Sequence, residues 1–328
     1  MNAVGDLVDR FIESTVVLSF SRVGYATRSR LFDWSPPESF PMDGRVVLVT
    51  GGTSGLGLET ATILARAGAS IRILGRDAAR AERAVRVIAS AAGRSDVEAY
   101  PADLSDLDSV RSVTGRILAR EARLDVLIHN AGALMARRRT SAQGFEWSFA
   151  AMVLGPFALT EGLLPLLRRG DGGRVILVSS GGMYTQALHL DDLQMEREPY
   201  RGSVAYARAK RAQVTLAEAW AERLVPSGVT VHAMHPGWAE TPGLAEGLPR
   251  FRRVVRPLLR TARQGADTIA WLAASPEPLE TSGRFWLDRR PRSTVRVPRT
   301  GASSAERERL FEACRRMSSA VREPSRTS

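Results

Sequence analysis

The sequence has almost no lysine: of its 46 lysine and arginine residues, only Lys210 is lysine. A chain that uses arginine for every other positive charge has a compositional bias, so the position that keeps lysine calls for a local reason. Cysteine is equally rare. Cys314 stands alone, which excludes an internal disulfide and a cysteine-rich zinc site and makes a reducing cytoplasm the default setting. The four histidines, His129, His189, His232 and His235, form no i,i+4 pair around an acid, so no metal site is assigned. Near the N-terminus the apolar stretch TVVLSF is far too short for the roughly 20 residues of a membrane span. No basic start followed by a long apolar stretch marks a signal peptide. Motifs of nucleic-acid readers are missing too. The net charge of +11 is spread over arginine clusters at 137–139, 168–169, 250–260 and from 289 onward, so no nucleic-acid partner is expected.

What is present is a run of short apolar segments alternating with helical patterns. RVVLVT, SIRILG, VEAYPAD, LDVLIHNAG, GRVILVSS, GVTVHAMHPG and SGRFWLD read as strands, rich in Val, Ile and Leu and buried on both faces. Helical stretches between them predict an α/β fold, a doubly wound, Rossmann-type parallel sheet of about seven strands. This domain occupies residues 44–288. Before it, residues 1–43 form a helical extension that ends in the Pro-rich linker WSPPESFPMDG. After it, residues 289–328 form a basic connector and a terminal helix that opens on the capping pattern Ser303 to Glu306. Leu7, Val8, Phe11, Ile12 and Val16 recur at helical spacing. They predict a helix packed on its own domain, with peripheral membrane contact as the secondary expectation.

Between the first strand and the first domain helix lies TGGTSGLG, residues 50–57. Gly51, Gly55 and Gly57 supply a tight turn and let a pyrophosphate approach backbone N–H groups, with Thr53, Ser54 and Leu56 in the same turn. A strand before and a helix after give the turn the context that a dinucleotide site requires. At the end of the second strand, LGRDAAR places Arg76 where a 2′-phosphate would be read. Asp77 fits either a ribose-binding acid or a helix N-cap. NADP(H) is therefore favoured, and NAD(H) remains compatible. Asp103 and Leu104 follow the third strand, where Asp103 would hold the adenine edge, and Asn130, Ala131 and Gly132 would close over the adenine and ribose side.

Tyr206 and Lys210 stand four apart in a helical stretch and so share one face. A free phenol titrates near ~10. An ammonium roughly 4 Å away, at an effective dielectric of about 20, favours phenolate by on the order of 4 kcal/mol, or about three pK units. Tyr206 is thus a candidate general acid/base. Ser180 ends the strand RVILVSS at the carboxyl edge of the sheet and is placed to hold the substrate oxygen. Where an arginine would supply the same charge, the compact ammonium of Lys210 donates to several hydroxyls at one point.

TGGTSGLG, DLS, HNAG, VSS, YARAK and HPGWAET, in that order, resemble the short-chain dehydrogenase/reductase (SDR) superfamily over residues 44–288. SSGGM, YARAKRAQV, MHPGWAETPG, QGADTIAWLA and SGRFWLDRRP resemble more narrowly its orphan branch catalogued as SDR family member 12. The resemblance implies that Tyr206 is the acid/base, Lys210 binds the nicotinamide ribose, and Ser180 orients the carbonyl. It implies that Pro236, Gly237 and Thr241 border the nicotinamide and its phosphates. It also implies an Asn where this chain has Met152, in a helix whose carbonyl serves the proton relay to the lysine. Loss of that Asn puts turnover in question.

Beyond HPGW, residues 238–262 carry Leu244, Leu248, Phe251, Val254, Val255, Leu258 and Leu259. This segment reads either as a lid over a bulky apolar substrate or as a helix packed on the domain. Met183, Tyr184 and Trp238 are further candidates for the pocket wall, and Trp147 is expected to pack in its helix. The reading is an NAD(P)(H)-dependent oxidoreductase interconverting an apolar carbonyl and its alcohol. The alternative is a cofactor-binding sensor or scaffold of low turnover. A homo-oligomer is compatible with either.

Overall fold

The segments read as strands pair in the computed structural model, which describes residues 3–93, 96–170, 172–247 and 249–319. The strands are β1 (Val46–Thr50), β2 (Ser70–Gly75), β3 (Val97–Pro101), β4 (Val126–His129), β5 (Arg174–Val178), β6 (Thr230–Met234), β7 (Phe285–Leu287) and β8 (Arg290–Arg292). They form one sheet in the order β3-β2-β1-β4-β5-β6-β7-β8. The first seven are parallel, and only β8 runs antiparallel to its neighbour. The order reverses beside β1, so a crevice opens between the carboxyl ends of β1 and β4, where such sheets bind ligands. Hydropathy gave no sign of β8, because Arg290, Pro291 and Arg292 lack an apolar face and pair only as an edge hairpin.

The helices are α1 (Ala3–Ser14), α2 (Val16–Phe20), α3 (Arg22–Leu31), α4 (Gly55–Arg66), α5 (Ala78–Ala92), α6 (Leu107–Arg120), α7 (Trp147–Phe149), α8 (Gly155–Leu167), α9 (Gly202–Leu224), α10 (Pro242–Gly247), α11 (Pro249–Val255), α12 (Ala262–Ala274) and α13 (Ser304–Ser319). Two apolar layers flank the sheet. One joins Val47, Val49, Ile71 and Ile73 to α4, α5 and α12; the other joins Leu48, Leu127, Val175 and Leu177 to α6, α8 and α9. Residues Trp147–Leu167 are long and apolar enough to cross a membrane but are mostly buried as a core helix. Phe311 of α13 packs on α8 and α9, with its ring 5.0 Å from Phe157 and 6.3 Å from Trp220.

The first three helices dock on the edge of the sheet through charge. Arg28 of α3 and Asp288 at the end of β7 are both wholly buried, and Arg28 Nη1 donates to Asp288 Oδ2 at 2.7 Å. Arg260 meets the same carboxylate at 2.6 and 2.9 Å. Burial pushes the Asp288 carboxyl up, but the Arg260 and Arg28 guanidiniums prevail and hold it below its ordinary range. Helix α1 turns its acids inward as well: Asp6 pairs with Arg290, Asp9 with Arg28 and Arg292, and Glu13 with Arg28 and Arg296. The expected apolar packing face is thereby reversed. Ile12 is buried, but Val4, Leu7 and Phe11 remain 67%, 68% and 66% exposed. The arginines of β8 and its exit attract the acidic stripe and so set which way α1 faces.

Removing one partner of a buried ion pair leaves the other charge without compensation, at a cost of about 3–5 kcal/mol. Asp288→Ala leaves the buried Arg260 guanidinium without a carboxylate and takes one of three from Arg28, and is expected to lower Tm by roughly 5 °C or more, while Arg22→Ala on the exposed side of α3 leaves it nearly unchanged. Equal melting curves for Asp288→Ala and wild type would remove the clamp from the account.

Candidate active site

The glycine turn between β1 and α4 has no room for side chains. Gly51 has φ +67°, and a Cβ there would lie 2.9 Å from the Ala131 Cα. A Cβ on Gly57 would lie 2.3 Å from the Gly51 carbonyl oxygen, and one on Gly75 would lie 2.6 Å from Thr53 Cγ2. Ser54 precedes α4 in extended conformation, and its hydroxyl makes no capping bond. The dipole and N–H groups at this helix end are thus left open to an anion. Leu56 packs toward α12, where a Cβ on Gly265 would meet it at 2.6 Å.

Three further segments converge on this turn. Asn130 donates from Nδ2 to the carbonyls of Thr50 (3.1 Å) and Gly51 (3.3 Å). The Thr50 hydroxyl accepts from the backbone of Asn130 (3.0 Å) and Ala131 (3.1 Å), which ties β4 to the turn. Asp103 Oδ1 is engaged by the backbone and hydroxyl of Ser105 at 2.8 and 2.7 Å. The Leu104 carbonyl lies against Gly155, where a Cβ would approach it to 2.0 Å. Arg76 is exposed and lies 5.7 Å from the centre of the Trp147 ring. Asp77 caps α5, accepting from the Arg80 backbone at 2.9 Å, the N-cap role that its position allowed. A turn that excludes Cβ atoms, an uncapped helix N-terminus and an exposed arginine beyond β2 together fit a phosphorylated dinucleotide.

At the other end of the crevice, Ser180 follows β5. Its hydroxyl accepts from the Gly182 backbone at 3.3 Å and lies close enough to the Tyr206 phenol to draw its pKa down. One turn along α9, Lys210 is 2% exposed; its Nζ donates to the Val178 carbonyl (2.7 Å) and to Gln213 Oε1 (3.0 Å). That Nζ lies 5.5 Å from the centre of the Tyr206 ring. Burial lowers the Lys210 pKa to about 7. Burial also pushes the Tyr206 phenol up, and the Ser180 hydroxyl offsets this only in part. The ammonium therefore does not by itself bring the phenol down, contrary to the electrostatic expectation from sequence: burial weakens the lysine's own charge and its hydrogen bonds run to carbonyls. His129, buried near Lys210 with Nε2 at 2.7 Å from the Thr160 hydroxyl, is pushed down to about 3 by burial and by the lysine's charge.

Met152 is fully buried in a π-turn, Ala150–Leu154, between α7 and α8. A Cβ on Gly132 would lie 3.0 Å from Met152 Sδ and 3.4 Å from Lys210 Nζ, so all three crowd one point. Gln213 Nε2 donates to the Met152 carbonyl at 2.8 Å. Gln213 was not legible as a site residue; its one sequence signal was an amide three residues past Lys210 on the same helix face.

The loop after β6 forms the remaining wall, and the N-terminal helices reach it. Gly237 has φ +76°, and a Cβ there would lie 2.2 Å from Arg260 Nε. Arg260 donates to the carbonyls of Pro236 (3.3 Å), Ser19 (2.9 Å) and Phe20 (3.2 Å). The Trp238 N–H donates to the Phe20 carbonyl at 2.7 Å. The Phe20 ring wedges 4.3 Å from His235 and 6.0 Å from Trp238, and a Cβ on Gly181 would strike it at 2.6 Å. Sequence reading missed Phe20, because nothing local in TVVLSF points to a site more than 150 residues away. Thr241 leads into α10 and accepts from Ala245 at 3.1 Å. Phe251 packs 5.3 Å from Trp238, Val255 and Leu259 are buried, and Val254 is 79% exposed. Leu248 and the side chain of Leu244 lie outside the described residues.

A parallel sheet with a phosphate-fitting turn at one end and a Ser–Tyr–Lys cluster at the other defines a nicotinamide-dependent oxidoreductase fold, and the chain belongs to the short chain dehydrogenase family, whose profile matches residues 45–249. It is 40% identical to human dehydrogenase/reductase SDR family member 12 over 296 residues, covering 89% of this chain and 92% of that protein. It is 37% identical to human retinol dehydrogenase 14 over 268 residues, covering 75% of this chain and 79% of that protein. A solved short chain dehydrogenase from Burkholderia cenocepacia J2315, in complex with NADP, superposes with a TM-score of 0.61 at 27% identity, covering 74% of this chain and 96% of that one.

A lysine whose folded-state pKa is depressed costs stability most below that pKa, and the cost shrinks as pH rises toward the unfolded value of ~10.4. For Lys210 the full cost lies below about 7. Lys210→Met is expected to melt above wild type near about pH 6, with the gap narrowing by about pH 9. A gap that widens with pH, or a less stable variant throughout, would contradict the assignment of burial as the dominant influence on Lys210.

Proposed function

We propose that this chain is an NADP(H)-preferring short-chain dehydrogenase/reductase that interconverts an apolar carbonyl compound and its alcohol. The observation that carries the reading is the joint placement of Ser180, Tyr206 and Lys210 at the opposite end of the crevice from the glycine turn. When bound, the nicotinamide supplies or accepts the hydride. Gly51, Thr53, Ser54, Gly55, Leu56 and Gly57 would hold its pyrophosphate, with Arg76 on the 2′-phosphate and Asp103, Leu104, Asn130, Ala131 and Gly132 on the adenine and ribose side. Pro236, Gly237 and Thr241 would line the nicotinamide end. Ser180 would hold the substrate oxygen, Tyr206 Oη would donate or remove the proton there, and Lys210 Nζ would bind the nicotinamide ribose. Aromatic groups around the loop after β6, Trp238 and Phe251 among them, favour an apolar substrate. Met152 is what supports the second reading, a cofactor-binding protein of low turnover.

The test is oxidation of NADPH and NADH with a panel of apolar aldehydes and ketones, beside direct measurement of cofactor binding. Turnover with NADPH, a fall of 10²-fold or more in Tyr206→Phe (on the order expected for general acid/base catalysis), and loss of the NADPH over NADH preference in Arg76→Ala are expected. Tight NADPH binding with no turnover on any carbonyl would favour the second reading, and unchanged discrimination in Arg76→Ala would withdraw the role given to Arg76.

We also propose peripheral contact with an anionic membrane through α1. Val4, Leu7 and Phe11 form an outward stripe on α1, which also carries the exposed Arg10. The net charge of +11 opposes self-association through this face and suits anionic headgroups. Sedimentation with phosphatidylserine-containing vesicles should pellet the wild type several-fold more than Leu7→Asp/Phe11→Asp. Equal pelleting of the two removes α1 from any membrane contact.

A further inference from the structure

We infer that Gln213 is a positioning residue for Lys210, its side-chain amide bridging the lysine ammonium on α9 to the Met152 carbonyl of the π-turn. The inference rests on the role given above to Lys210. Gln213 is fully buried, and a buried amide needs partners at both ends. Its Oε1 accepts from Lys210 Nζ at 3.0 Å and its Nε2 donates to the Met152 carbonyl at 2.8 Å. The chemistry fixes that orientation: reversed, the amide would set donor against donor at the ammonium and acceptor against acceptor at the carbonyl.

Each end of the bridge answers a local shortage. The Met152 carbonyl lies in the π-turn, and Pro156, four residues on, has no N–H to offer it. The Met152 side chain offers no strong donor or acceptor of its own, so the amide arrives from the facing helix. At the other end, an ammonium has three donors, and Lys210 gives one to Val178 and one to Gln213. One donor then remains for the reaction centre. The ionisable groups around it are Tyr206, on its own helix, and His129, from β4. The first is pushed up and the second down by burial, so both are neutral near neutral pH. Among the described residues no carboxylate bonds to the ammonium. Its position and protonation therefore depend on the two neutral oxygens, and only Gln213 of those can be altered by substitution.

Because the chain holds one lysine, protein grown on lysine labelled with ¹³C at Cε gives a single lysine Cε resonance, which reports Lys210 protonation with no substrate present. Gln213→Leu removes an acceptor of the ammonium and is expected to lower the titration midpoint. Gln213→Glu sets a carboxylate there and is expected to raise it, giving the order Leu, Gln, Glu. In turnover, Gln213→Leu is expected to lower kcat at neutral pH by tenfold or more and to displace the pH profile, with NADPH Kd changed less than threefold. Identical midpoints for wild type and both variants would overturn the inference; should Gln213→Leu fail to fold, an unshifted midpoint in Gln213→Glu does so alone. The expected order of midpoints with no turnover in wild type would leave the bridge standing and count against the oxidoreductase reading only.

Discussion

Burying an ammonium among neutral oxygens is the constraint around which the active-site end of this molecule is arranged. Lys210 has lost most of its water and, among the described residues, no carboxylate replaces it, so the fold must supply dipoles at fixed positions. The Val178 carbonyl comes from the end of β5 and the Gln213 amide from the next turn of α9. Those contacts also answer why one lysine persists in an arginine-rich chain. The acceptors within its reach are two carbonyl oxygens, which suit a compact ammonium better than a planar guanidinium with five donors. The same burial carries a stability cost, the kind of local expense that folds bear at functional sites.

Asp288 plays a comparable part at the far edge of the sheet. Its carboxylate is shared by Arg28 from the N-terminal helices and Arg260 from beyond the loop after β6. Arg260 in turn holds the carbonyls of Pro236, Ser19 and Phe20. The first helices of the chain are thereby built into the wall of the site, with Phe20 wedged against Gly181, His235 and Trp238. Because α1 docks through Asp6, Asp9 and Glu13, its apolar face is left outward. A helix that spends its charges inward against arginine can present Val4, Leu7 and Phe11 to a surface beyond the molecule.

The doubly wound sheet was legible because its strands are local apolar runs and its glycine turn stands between a strand and a helix. Tyr206 and Lys210 were legible because a four-residue spacing on a helix fixes a shared face. What sequence left open depended on groups brought together from a distance. Asp77 fitted either a ribose acid or a cap, and the Arg80 N–H reaches it as a cap requires. The electrostatic expectation for Tyr206 took a fully charged lysine at an effective dielectric of about 20, whereas burial pushes the phenol up and the lysine down. Gln213 and Phe20 carry no motif, and each acquires its role only through a partner 61 or more positions away. The direction of α1 followed from arginines near the opposite end of the chain, which hydrophobic periodicity alone does not register.

The account stands on hydride transfer taking place beside Ser180 and Tyr206. Its most direct test is isotopic: NADPH carrying deuterium at the transferable position of nicotinamide C4, incubated with the enzyme and an apolar aldehyde or ketone, and the alcohol analysed by mass spectrometry. The account predicts one deuterium on the carbinol carbon and none above background with Tyr206→Phe. Alcohol formed without the label, or labelled equally by Tyr206→Phe, would contradict it.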